Sequence, residues 1–215
     1  MLLLVGLGNP GPKYERNRHN IGYLAVDEIV HRYSFQAPRA RFQALTNEGT
    51  LAGRKVLAMK PTTFMNDSGR AVGEAVRFFK LALDQVVVIH DEIDLALGKV
   101  RAKRGGGHAG HNGIRNIAQH LGADFWRIRV GVGHPGEKAR VHGHVLGDIS
   151  KADMPMVEKI IDAIADAAPL MAEDDFNGFM SRAALLINPP KPKPPRAEPD
   201  AKAGPEDDKG TSDGL

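Results

Sequence analysis

The chain has 215 residues, 42% of them hydrophobic and 26% charged, which suits one soluble domain with a substantial core. It has no Cys, which excludes disulfides, thiolate nucleophiles and Cys-based zinc centres. The formal net charge is +3; residues 189–215 hold five Lys/Arg and six Asp/Glu, so the first 188 carry +4, a mild sign of a polyanionic partner.

The opening "LLLVG" (2–6) is a short apolar run and reads as a buried strand. It is too short for a signal-peptide core, and no apolar run approaches the ~18 residues of a membrane span, so the default location is cytoplasmic. Val26, Ile29, Val30 and Tyr33 follow at helical spacing. "VLAMK" (56–60) reads as a strand, set against 41–47 as a partner. Val72, Ala75, Val76 and Phe79 mark a second helix. "VVVIHD" (86–91) is another buried strand. Ile114, Ile117, Ala118 and Leu121 mark a third helix, with Gly122 as its C-cap. "FWRIRVGVG" (125–133) alternates from Trp126 as a strand does. Val157, Ile160, Ile161 and Ile164 form a fourth helical stripe. Phe176, Phe179, Met180 and Ala183 form a fifth, after Pro169 breaks the run. Alternating strands and helices predict a single α/β domain over 1–188, a mixed twisted sheet with helices on both faces. Residues 189–215 hold seven of the fourteen prolines and no aromatic, and are expected to form a disordered C-terminal tail.

Gly6, Gly8 and Gly11 spell G-x-G-x-x-G after the first strand, the dinucleotide-binding spacing. That motif needs a helix to begin inside the glycine run, and Pro12 pushes Gly11 away from the α region. The acid expected ~20 residues on would be Asp27 or Glu28, both inside the first helical stripe. The glycines and prolines read better as a tight loop at a strand's carboxyl end, with Asn9 on it.

Four stretches place polar groups at element ends. "NPGPKYERNRHN" carries Asn9, Tyr14 and His19; "KPTTFMNDSG" carries Phe64, Met65 and Asn66; "VVVIHDEIDL" carries His90, Asp91 and Glu92; "RGGGHAGHNG" carries His108, His111 and Asn112. A His beside a carboxylate is a general base held by an acid, and side-chain amides can donate to an oxyanion or place a water. With no G-x-S-x-G and no Cys, water attacking an ester is the simplest chemistry for these parts. Asn66 and Asn112 also suit helix caps. His108 with His111, and the "HGH" of 142–144 on a strand, raise a metal reading, but no H-E-x-x-H or third ligand accompanies them. Lys99, Arg101 and Lys103 alternate along an extended segment, with Arg115, Arg127, Arg129, Lys138 and Arg140 further on. A solvated face and a phosphate track both fit that pattern.

"GLGNPGPKYERNRHNIGY", "PTTFMNDSG", "HDEIDLALGKV", "GGGHAGHNG" and "FWRIRVGVGHPG" resemble, in order, motifs of the bacterial peptidyl-tRNA hydrolases, from about residue 2 to about 187. The resemblance implies a monomeric α/β enzyme, needing no metal or cofactor, that cleaves the ester between peptide and tRNA. It implies His19 as the base that activates water, Asp91 as its supporting acid, and Asn9 as the group that engages the peptide. Tyr14, Phe64, Asn66 and Asn112 match positions at the substrate's reacting end, and Met65 and His111 match positions lining that cleft. Lys103 and Arg129, and more loosely Lys138, match tRNA-phosphate contacts. Two positions depart from the family pattern. Asn17 stands where Thr is frequent, and Asp67 places a negative charge where an apolar residue is common.

Overall fold

The computed structural model describes residues 1–190, so the expected disordered tail lies outside the described residues from 191 on. Seven strands form one sheet: β1 (Leu2–Gly6), β2 (Arg39–Arg41), β3 (Ala44–Leu51), β4 (Arg54–Pro61), β5 (Val86–Glu92), β6 (Val100–Arg104) and β7 (Trp126–Gly131), in the order β2-β3-β4-β1-β5-β7-β6. The four central strands are parallel, and both edges are antiparallel. Around them lie α1 (Ile21–Arg32), α2 (Ser68–Phe79), α3 (Asn112–Leu121), α4 (Val141–Val145), α5 (Met154–Ala172) and α6 (Phe176–Ile187). No helix among the described residues is long and apolar enough to cross a membrane.

β1 and β5 are buried along their whole length, which explains their unbroken apolar sequences: helices cover both faces. Leu2, Leu4, Val87 and Ile89 point to α1, α5 and α6, meeting Ile21, Ile160 and Phe179. Leu3, Val5, Val86 and Val88 point the other way, to Val72, Ile114 and Ile117 of α2 and α3. The parallel strands end along one rim, where open α/β sheets bind ligands.

Three expectations need correction. Pro169 does not end a helix, because α5 continues through it to Ala172. Proline lacks the N–H that would bond to the Ala165 carbonyl. The Tyr33 hydroxyl donates to that carbonyl instead, at 3.1 Å, so the gap in the ladder is filled from α1's end. The chain breaks its helix later, at Asp174, whose φ is +61°. The strand opposite β4 is 44–51 rather than 41–47, since Phe42 and Gln43 take positive φ and turn the chain. Finally, His142 and His144 lie on the helix α4, not on a strand, and His144 bonds to the Val132 carbonyl at 3.1 Å.

The glycine run gains its explanation from packing. A Cβ on Gly6 would lie 2.3 Å from the Gly22 carbonyl oxygen, and one on Gly22 would lie 2.4 Å from the Ile89 oxygen and 2.5 Å from the Leu7 nitrogen. Leu7 and Ile89 are themselves hydrogen-bonded at 3.0 Å. The start of α1 therefore rests directly on the ends of β1 and β5. Gly22→Ala is expected to cost at least about 2 kcal/mol by overpacking, read as a lower urea midpoint. An unchanged midpoint would show that α1 can lift off the sheet freely.

Candidate active site

The close seat of α1 carries His19 to the rim, on the short 3-10 turn Arg18–Asn20 just before the helix. Asp91 comes from the buried end of β5, and His111 from the residue before α3. The two histidines approach from opposite faces of the sheet and meet on one atom. His19 Nδ1 lies 2.8 Å from Asp91 Oδ1, and His111 Nε2 lies 3.0 Å from the same oxygen.

The tautomers follow from the partners. His111 Nδ1 accepts the backbone N–H of Ile114 at 3.3 Å, so its proton sits on Nε2 and is donated to Asp91. His19 Nδ1–H likewise donates to the carboxylate, which leaves the Nε2 lone pair free for a proton. Burial alone favours the protonated acid at Asp91. The positive charge that His19 and His111 can carry, and their hydrogen bonds, outweigh it and hold Asp91 well below the usual carboxylate range. Next to it, burial and the neighbouring His111 push His90 well below the ordinary imidazole value, so His90 is neutral. Its Nδ1–H donates to the Asp91 carbonyl at 2.7 Å.

The depressed value at Asp91 has a consequence for stability. A carboxyl group that ionises more readily when folded contributes fully above its unfolded value of about 3.9 and loses that contribution as pH falls below it. The urea midpoint of wild type should exceed that of Asp91→Asn at pH 6, and the gap should narrow toward pH 3. A constant gap would mean that the carboxylate charge adds nothing to the fold.

Asn9 sits in the glycine loop under tight control. Its backbone N–H donates to Asn20 Oδ1 at 2.9 Å, and Asn20 Nδ2 donates back to the Asn9 carbonyl at 2.9 Å. Asn9 Oδ1 accepts the Met65 N–H at 2.8 Å, which assigns the amide orientation and leaves Nδ2 available to donate. In the sequence Asn20 carries no signal beyond the "HN" pair that precedes a helix. The double role of His111 was equally hidden, since its contact with Asp91 is between residues 20 apart in sequence.

Beside this centre lies a cationic cleft of about 180 Å³ between β5, β6, β7 and the triple-glycine loop, lined in part by Lys103, Arg127 and Arg129. Lys103 stands opposite Arg127, and Arg101 opposite Arg129, across the antiparallel pair. Buried Arg127 donates to the carbonyls of Gly107 at 2.6 Å and Gly106 at 2.9 Å, so it pins the loop. Arg129 is held by Glu92 at 2.9 Å. Lys103 is exposed and has no ion-pair partner among the described residues. Lys99 falls just outside β6, so the strand itself carries Arg101 and Lys103 of the three alternating cations.

The profile of the peptidyl-tRNA hydrolase family matches residues 3–192. The chain belongs to that family. Among its relatives, the peptidyl-tRNA hydrolase of Parvibaculum lavamentivorans is 61% identical over 93% of this chain and 98% of that one. The peptidyl-tRNA hydrolase of Rhodospirillum centenum is 56% identical over 89% of this chain and 84% of its own. A crystal structure of the peptidyl-tRNA hydrolase from Acinetobacter baumannii superposes with a TM-score of 0.81 at 36% identity, covering 86% of this chain and 94% of that chain.

The remaining expected site residues fall around the rim. Tyr14 and Phe64 meet edge to face at 6.5 Å, with Phe64 exposed. Met65 is buried, while Asn66 and Asn112 are exposed. Neither asparagine caps a helix: Asn66 lies in the turn Met65–Asp67, and Asn112 is the first residue of α3, whose cap is His111. Asn112 Oδ1 accepts from Arg115 at 2.9 Å. Lys138 lies on the single turn Lys138–Arg140, and its side chain is outside the described residues. The unusual Asn17 donates to Asp148 at 2.8 Å, tying the turn that carries His19 to the segment after α4. The unusual Asp67 faces Arg70 at 3.7 Å, so its charge is partly offset.

His19, Asp91 and His111 also form the metal-competent cluster among the described residues, their ligand atoms within 4.8 Å of one another. It is not the His108 or His142–His144 grouping raised by the sequence. Two imidazole N–H groups bonded to one carboxylate oxygen already satisfy that oxygen, and a cation there would have to displace both protons.

Proposed function

We propose that this chain hydrolyses the ester between peptide and tRNA in peptidyl-tRNA, using water activated by His19. The observation that carries the reading is the His19–Asp91 pair, which leaves His19 Nε2 free at the sheet rim, next in the chain to the Asn20 that holds Asn9 in its loop. His19 Nε2 removes a proton from water as its oxygen bonds to the ester carbonyl carbon. The carbonyl oxygen becomes an oxyanion, and Asn9 Nδ2–H donates to it. The bond from that carbon to the ribose oxygen then breaks, the proton passes from His19 to the ribose oxygen, and the peptide leaves as a carboxylic acid that gives its remaining proton to solvent. Asp91 orients His19 and stabilises its protonated form; His111 steadies Asp91 from the other side. Tyr14, Phe64, Met65, Asn66 and Asn112 surround the reacting end, and Lys103, Arg129 and Lys138 take tRNA phosphates. The reaction is run by a monomer in the cytoplasm, with residues 1–188 as the catalytic domain and 189–215 standing outside it.

The deciding experiment compares N-acetylaminoacyl-tRNA with free aminoacyl-tRNA, in EDTA, for wild type and His19→Ala. Cleavage of the blocked substrate alone, lost in the variant, is the expected result. Binding of tRNA without cleavage by either protein would replace the hydrolase by an RNA-binding role. Lys103→Ala should raise KM several-fold at nearly constant kcat. It should also reduce the slope of log kcat/KM against log salt by roughly 0.7–0.9, the share of one phosphate contact. Equal slopes would remove Lys103 from the phosphate contacts.

A further inference from the structure

A second and larger cleft, of about 400 Å³, opens on the other side of the Asn9 loop. Its walls come from that loop, from α1, and from β3 and the end of β4. Tyr23, Leu24 and Leu45 give it an apolar lining; Leu45 is one of the few large apolar side chains left exposed. The Tyr23 hydroxyl donates to the Pro61 carbonyl, which fixes this wall. Burial, and then the Asp27 charge, raise the Tyr23 pKa, so the phenol stays neutral. Glu15, Asp27 and Lys60 supply the charge. Lys60 is paired with Asp27, and Glu15 has no ion-pair partner among the described residues, so the cleft carries one net negative charge.

Position and charge point to one occupant. In the strand order, the cationic cleft lies on the β5-β7-β6 side of the centre, and this one on the β1-β4-β3 side. Asn9 lines the larger cleft and stands between the two. A substrate whose phosphates take the cationic side and whose ester lies at His19 must send its acyl half the opposite way. The larger cleft repels phosphate, is part apolar, and has the volume of an ordinary ligand site. We propose that it receives the peptide beyond the esterified residue and favours a positively charged ammonium group there, beside Glu15 and Asp27. The proposal rests on the hydrolase reading above.

The test uses four substrates on one tRNA: acetyl-Ala, acetyl-Lys-Ala, acetyl-Glu-Ala and the free-amine dipeptide Ala-Ala. For wild type at low salt, kcat/KM for acetyl-Lys-Ala should exceed that for acetyl-Glu-Ala by about threefold to fivefold, the scale of one exposed charge pair. The gain should lie in KM and fade with salt. An advantage of Ala-Ala over acetyl-Ala would assign the ammonium site to the peptide's amino end; an advantage confined to acetyl-Lys-Ala assigns it to a side chain. The double variant Glu15→Gln, Asp27→Asn frees Lys60 and turns the cleft from −1 to +1, so the Lys-over-Glu preference should reverse. Leu45→Lys, which adds a cation from the opposite wall, should shift it the same way. An unchanged Lys:Glu ratio in these variants overturns the proposal, as does an equal change for every substrate including acetyl-Ala. Failure of wild type to cleave even acetyl-Ala-tRNA overturns the hydrolase reading and takes this subsite with it.

Discussion

His19→Ala lowers kcat by about 10²- to 10⁴-fold, the usual worth of a positioned general base, while KM stays close to wild type. The magnitude follows from the geometry: His19 is the imidazole whose Nε2 is left free by its bond to Asp91. Wild-type activity should fall with falling pH, because a protonated Nε2 cannot accept a proton from water. Asp91 is held well below the usual carboxylate range and stays ionised through that fall, so the acid limb belongs to an imidazole. Asp91→Asn should cost a similar factor for a different reason. An amide in that place can donate to His19 Nδ1 and so move the ring proton to Nε2, the wrong tautomer for a base. Single-turnover hydrolysis of N-acetylaminoacyl-tRNA across pH separates these effects. A flat pH profile with chemistry rate-limiting would rule out His19 as the base.

The second large effect is expected at Asn9. The side chain accepts the Met65 N–H through Oδ1, which leaves Nδ2 available as the donor that the proposed mechanism uses. Asn9→Asp keeps the acceptor for Met65 and removes the donor, and it places a negative charge beside the developing oxyanion. The loss should be about 10²- to 10³-fold in kcat, the worth of one oxyanion donor. Thermal stability should change little, because the bonds to Met65 and Asn20 remain possible. Wild-type kcat in Asn9→Asp would mean that Asn9 acts only by shaping its loop. A large loss in Asn9→Ala but not in Asn9→Asp would say the same.

Much of this was legible in the chain before any fold was considered. The apolar runs of β1 and β5 announced buried strands because a strand covered on both faces needs no polar alternation. Trp126, Ile128 and Val130 alternate with Arg127 and Arg129 because β7 has core on one face and cations on the other; Trp126 stacks on Phe176 of α6 at 3.6 Å. Pro12 argued against a dinucleotide loop, and Gly11 does take a left-handed φ of +101° ahead of a short turn, not a long helix. The five motifs carried the family resemblance, and each spans the end of a strand or the start of a helix near the rim or the strand β7 beside it.

Other features were settled only by distance in space. That Pro169 sits within α5 depends on Tyr33, 136 positions earlier, satisfying the freed carbonyl. Whether Asn112 or His111 caps α3 depends on backbone angles that the composition of "GHNG" leaves open. Apolar periodicity and residue type along the chain are enough for an α/β domain, its strand and helix types, and a list of polar groups at element ends. It takes the folded sheet to bring His19 and His111 onto one oxygen of Asp91, to set Asn20 and Met65 around Asn9, and to flank them with an anionic and a cationic cleft. Local periodicity is set by neighbours three or four residues apart, whereas a hydrogen-bonded centre is set by which strand ends the sheet order brings together.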